Sequence, residues 1–132
     1  MLNKNIQTFI ACDSEYSEAE TVLFGAGFDG TTSFRPGTRF APEAIRSESF
    51  GIETYSPYQD KDMLDYSYFD SGDLELPFGD TEKVLSDIQQ RSETILSDGK
   101  RPFMIGGEHL VTLGSVRAVK EKYGELYIIH FD

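Results

Sequence analysis

Apolar and polar positions alternate along the chain in a way that predicts a short series of strands and helices. Residues 21–28, Thr-Val-Leu-Phe-Gly-Ala-Gly-Phe, form a continuous β-branched and apolar run closing on glycines, the pattern of a buried strand. A polar stretch, DGTTSFRPGTRF, follows and reads as a loop, with Arg35 and Arg39 on either side of Pro36-Gly37. APEAIRSES at 41–49 reads as a short helix with Pro42 in its first turn and Glu43 near the positive end of the helix dipole. Residues 55–80 show no clear period and read as loops around one short strand at 66–69. From Thr81 the spacing turns helical, with Val84, Leu85, Ile88, Ser92, Ile95 and Leu96 along one face. Asp80 or Thr81 supplies the N-terminal cap, and Asp98-Gly99 the stop.

The last part resolves into a strand over 102–107 (PFMIGG), a helix over 109–124 and a second apolar strand over 125–131 (ELYIIHF). Strand, helix and strand over about thirty residues is the size of one βαβ unit, with parallel strands and a right-handed crossover. No repeat or low-complexity linker divides the chain, so residues 1–132 read as a single α/β domain.

Composition narrows the partners. The formal charge of −11 argues against a nucleic-acid ligand, since phosphate backbones are bound by clustered Lys and Arg, and favours a cationic small molecule. The single cysteine, Cys12, allows no intrachain disulfide and no Cys-rich zinc site, and is expected to be inert. No leader-like segment and no apolar run of membrane-spanning length is visible, so a reduced cytoplasmic location with no membrane partner is the expectation.

The candidate chemistry lies in the βαβ unit. His109 directly follows the first strand and Asp132 ends the second. If the strands are neighbours, about 4.8 Å apart, the two side chains converge beyond the carboxyl ends, where open α/β sheets bind ligands. Imidazole and carboxylate suit a divalent ion such as Mn²⁺ or Zn²⁺. Gly106 and Gly107 permit a sharp turn, and Glu108 is placed to orient a ligand or to hold nearby backbone. The same residues also fit a plain turn, with His109 facing solvent at a helix start and Asp132 a cap or surface acid. His130 shares the parity of Ile128 and Asp132 along the expected strand and reads as a hydrogen-bonded core histidine. Asp70 and Asp73 around Gly72 read as a turn. Arg35 and Arg39 read as loop braces or interchain contacts rather than an anion grip. The tyrosines from Tyr55 to Tyr68 read as packing residues, with a subunit interface as a further use.

Four segments, in order, carry a resemblance to a known family. GAGFDGTTSFRPGTRFAPEAIR (25–46), DSGDLELP (70–77), IGGEH (105–109) and IIHFD (128–132) resemble segments of the agmatinase branch of the arginase (ureohydrolase) family. The resemblance covers the chain from about residue 21 onward. It implies a three-layer arginase-like α/β fold around a parallel sheet, and two Mn²⁺ ions at the carboxyl edge. By position in the motifs, His109 is a terminal ligand to one manganese and Asp132 the first carboxylate of the second motif. It assigns no metal to His130, Asp70 or Asp73. A hydroxide shared by the two ions would attack the guanidinium carbon, and urea would leave. The implied reaction is hydrolysis of agmatine to putrescine and urea in a homo-oligomer. Guanidinobutyrate, arginine and formiminoglutamate are the alternative substrates, and a non-catalytic binding or assembly protein with the same fold is the competing class. The family's remaining metal ligands are not in this chain, so 1–132 is expected to be the N-terminal part of a longer enzyme and inactive alone. Catalytic and substrate-binding residues are not assigned by the sequence.

Overall fold

The computed structural model describes residues 2–131. Its centre is β1 (Thr21–Ala26), whose Val22, Phe24 and Ala26 are fully buried. A long connection containing α1 (Ala41–Ser49) and a small antiparallel hairpin, β2 (Tyr55–Ser56) and β3 (Lys61–Asp62), leads to β4 (Tyr68–Asp73). Then come α2 (Thr81–Ser97), β5 (Arg101–Gly106), a 3-10 turn at His109–Val111 and α3 (Thr112–Tyr123). The main sheet has the order β4-β1-β5, all parallel, with Val22 beside Phe69 and Phe24 beside Met104. Parallel neighbours need crossovers of a dozen residues or more, which the α1 and α2 connections provide.

Strand alternation divides the core in two. Val22, Phe24, Ala26 and Phe69 join Val84, Ile88 and Ile95 of α2 and Val111 in one cluster, with Met104 packed against it. Leu23 and Ile105 point the other way and meet Cys12, with Phe9 and Tyr68 at the margin. Helix α1 lies on this second side, where its Arg46 reaches Asp70 of β4. The result is helix, sheet and helix in three layers.

Helix α2 forms as its period predicts. Its buried residues are Val84, Leu85, Ile88, Ser92, Ile95 and Leu96, the same six that the spacing selects. Asp80 caps it by accepting from the Lys83 N–H at 3.0 Å. At the other end Gly99 takes a φ of +75°. Gly99 and Lys100 then donate to the Leu96 and Ile95 carbonyls, each at 3.1 Å, the paired bonds of a Schellman ending. Ser92, buried on the face toward α3, satisfies its hydroxyl against Ser115 at 2.9 Å.

Three expectations are corrected. The strand placed at 66–69 runs instead from Tyr68 to Asp73, so Asp70 and Asp73 belong to β4 and not to a turn. Within the stretch expected as loops, a hairpin forms in which Tyr55 pairs with Asp62. The strand expected over 125–131 does not form: this segment lies outside the sheet, with Ile129 81% exposed. An apolar run becomes a strand only when a neighbour takes its backbone hydrogen bonds and a layer covers its side chains. Here the segment makes no pairing with the open edge of β5 and no layer covers its side chains, so β5 remains an edge with Phe103 half exposed. No helix among the described residues is long and apolar enough to cross a membrane.

Candidate functional site

The carboxyl ends of β1 and β5 lie side by side and are tied together beyond the last ladder pair. The Gly107 N–H donates to the Ala26 carbonyl at 3.0 Å, and the Glu108 N–H to the Phe28 carbonyl at 2.9 Å. This closeness explains the glycine: a Cβ at position 107 would sit 2.0 Å from the Phe28 carbonyl oxygen. The turn therefore delivers His109 to the open carboxyl edge at the start of the 3-10 turn, where the side chain is exposed.

The His130 ring stands edge-on to the His109 ring, with centroids 5.9 Å apart. His130 is exposed, contrary to the expectation of a core histidine. The reason is the missing strand: without sheet pairing, strand parity does not decide where its side chain points. Asp132, the expected second ligand, lies outside the described residues. Among the described residues there is no group of three or more His, Cys, Asp or Glu side chains placed to hold a metal. What the site presents is one imidazole held at the sheet edge by backbone, with a second imidazole beside it.

The wall opposite His109 is the polar loop after β1. Asp29, almost fully buried, organises it: Oδ2 accepts from the Gly37 N–H at 2.6 Å, the Arg39 N–H at 3.3 Å and Arg39 Nε at 3.1 Å. Burial pushes the Asp29 pKa up, but these donors and the guanidinium charge outweigh it and hold the carboxyl below its ordinary value. Arg39 thus braces the loop, and it also lies over the Phe40 and Phe78 rings. Arg35 lies over the Phe34 ring, 5.4 Å from its centroid. Thr31, Thr32, Phe34 and Arg35 face Glu108 and His109 across an open cleft of about 400 Å³. The Glu108 carboxylate spans its floor, accepting from Thr31 Oγ1 at 2.7 Å and the Thr31 N–H at 3.2 Å.

An ion cluster that the sequence pattern does not reveal joins α1 to β4. Arg46 of α1 grips Asp70 with two parallel hydrogen bonds, Nε to Oδ2 at 2.7 Å and Nη2 to Oδ1 at 3.0 Å, and its Nη1 reaches Asp73. The only sequence signal is an arginine in a short helix and an aspartate directly after Tyr68-Phe69. The tyrosines expected to pack do so only in part: Tyr68 is half-buried with its ring 6.2 Å from that of Tyr66, whereas Tyr55, Tyr58 and Tyr66 are exposed, and the Tyr55 hydroxyl donates to Asp60 at 2.8 Å.

Comparison with known proteins bears on this arrangement. Residues 19–132 match the model of the arginase family. The agmatinase of Bacillus subtilis strain 168 is 47% identical over 126 residues, 96% of this chain but 43% of that protein. A crystal structure of a protein provisionally assigned as an agmatinase in Clostridium difficile superposes with a TM-score of 0.85 at 56% identity, covering 89% of this chain and 43% of that one. The agmatine ureohydrolase of Thermoplasma volcanium gives a TM-score of 0.80 at 37% identity over 86% of this chain and 39% of that one. The chain thus spans less than half the length of the relatives it resembles.

Proposed function

The chain belongs to the arginase family, and from that premise we propose that the whole protein hydrolyses a guanidino compound, with agmatine, yielding putrescine and urea, as the first choice of substrate. The observation that carries this reading is the likeness to the Bacillus agmatinase across nearly the whole of this chain. The placement of His109 is in accord: an exposed imidazole, fixed by backbone at the carboxyl edge of a parallel sheet and facing a cleft, is a suitable borderline donor for Mn²⁺.

His109 would be one manganese ligand and Asp132, outside the described residues, another. Bound there, manganese would act as a Lewis acid that makes water nucleophilic near neutral pH. The protein's own contribution here is to orient His109 through the Gly107 turn and to shape one wall of the cleft with the braced loop. The acidic balance of the chain favours a cationic guanidinium over an anionic substrate.

A second guanidino substrate deserves a place in the test, because an N(1)-aminopropylagmatine ureohydrolase of Thermococcus kodakarensis is 33% identical over 89% of this chain. The experiment is a urea-release assay of the full-length protein on agmatine, aminopropylagmatine, guanidinobutyrate, arginine and formiminoglutamate, with and without Mn²⁺. Agmatine hydrolysis that is lost on chelation and restored by Mn²⁺ is expected. Full activity after exhaustive chelation overturns the reading.

A further inference from the structure

The Glu108 carboxylate is not what holds its own turn in place. Backbone N–H groups of Gly107 and Glu108 already anchor that turn to Ala26 and Phe28. The carboxylate instead reaches 77 positions back along the chain, where Oε1 accepts both the Thr31 hydroxyl and the Thr31 N–H. The far end of the same loop is fixed separately, by Asp29 accepting from Gly37 and Arg39. Between these two anchors lie Thr32, Ser33, Phe34 and Arg35, with Phe34 77% exposed toward solvent. This short span lines the cleft together with His109. One anchor of the wall is thus carried by the residue that precedes the candidate metal ligand.

We propose that Glu108 and Thr31 form a latch that positions the 32–35 wall of the cleft against His109. The latch sets the affinity for the guanidino substrate and leaves the affinity for metal unchanged. This rests on the reading of the cleft as the substrate site. The separation of the two effects follows from the bonding: His109 is placed by backbone, the wall by the Glu108 side chain. The latch needs an acceptor at Oε1 and not a charge, so glutamine can replace glutamate. A direct ionic grip on a cationic substrate would need the charge. Glu108 is in this sense a positioning residue, acting through Thr31.

The test compares Glu108→Ala, Glu108→Gln, Thr31→Val, Thr31→Ser and the Glu108→Ala/Thr31→Val double variant in the full-length protein. Three readouts are taken: amide hydrogen exchange over 32–37, Mn²⁺ affinity by titration, and KM for agmatine. In Glu108→Ala and Thr31→Val the loop amides exchange faster, and KM rises about five- to tenfold, as expected for one or two hydrogen bonds of ordinary net strength. Manganese affinity stays within about twofold, since the backbone anchors of the turn remain. The glutamine and serine variants stay near wild type. The double variant is no worse than the worse single one, because both remove the same interaction. Unchanged exchange in Glu108→Ala and Thr31→Val overturns the latch. So does a Glu108→Gln variant as impaired as Glu108→Ala, or manganese affinity falling in step with KM. Faster loop exchange with unchanged KM overturns its link to substrate. If the wild-type protein hydrolyses no guanidino compound, the functional reading falls and the exchange comparison alone judges the latch.

Discussion

Arg46 and Asp70 face each other fork to fork, 2% and 0% exposed, with two hydrogen bonds between guanidinium and carboxylate. Asp70 is further saturated by the Phe9 N–H at 2.9 Å and the Gly72 N–H at 3.0 Å. The pair therefore ties three segments together: the N-terminal arm, α1 and the end of β4. Burial acts to lower the Arg46 pKa, but the hydrogen bonds and charges of Asp70 and Asp73 prevail and raise it, so the guanidinium stays ionised.

Removing one partner should cost far more than removing both. Asp70→Ala leaves the buried guanidinium with only the partly exposed Asp73 as counter-charge and two backbone N–H groups without acceptors, a loss of up to about 3–5 kcal/mol. The double replacement Arg46→Met/Asp70→Leu is expected to lose less than Asp70→Ala, since it removes the buried charge together with its partner. Urea denaturation of the full-length variants measures this. A loss below about 1 kcal/mol for Asp70→Ala would contradict the role assigned to the pair.

The Asp29 loop should weaken in acid. Its carboxyl is held below the ordinary value in the folded state, so its stabilisation is present above the unfolded pKa of about 3.9. That contribution is lost as the pH falls through the depressed folded value. Asp29→Asn should abolish this part of the pH dependence and loosen the loop at neutral pH. Hydrogen exchange over residues 30–38 between pH 2 and 5 is the readout, and identical pH profiles for wild type and variant would count against it.

Cys12 should be unreactive while the protein is folded. It is buried against Leu23 and Ile105, and burial first, then the nearby Asp70 and Asp13 charges, push its thiol up to about 12. Because the thiolate is the reacting species, a disulfide reagent at pH 8 should label it only on unfolding. Prompt stoichiometric labelling of native protein would show that this side of the sheet opens readily.

These residues show where the sequence was informative. The buried face of α2 was legible to the residue, because helical period is local and one apolar stripe has one way to face a sheet. The Arg46–Asp70 pair spans 24 positions and the Thr31–Glu108 contact 77, distances at which no local pattern tells a buried acid from a turn acid. The run at 125–131 failed in the opposite sense. Its composition is that of a strand, but a strand also needs a partner's hydrogen bonds, which no window of sequence contains. At the candidate site, the glycine turn and His109 were visible as a motif, whereas the loop wall facing them came only from the fold.

The two imidazoles at the sheet edge make the sharpest test of the metal assignment. His109 is placed by the Gly107 and Glu108 backbone bonds, whereas His130 lies on a segment outside the sheet and touches His109 by ring contact. A metal ligand needs a fixed approach, because each degree of freedom frozen on binding subtracts from affinity. His109→Ala in the full-length protein should therefore weaken Mn²⁺ binding by more than about tenfold, the loss that even the outer partners of metal ligands command. His130→Ala should change it by less than about threefold. Gly107→Ala is the structural counterpart: its Cβ would meet the Phe28 carbonyl oxygen at 2.0 Å, so the turn must shift and carry His109 with it. That variant should keep both histidines and still lose manganese affinity. Titration of Mn²⁺ into the three proteins separates the cases: equal losses for the two histidines would make both rings ligands, and an unaffected His109→Ala would move the metal away from this edge.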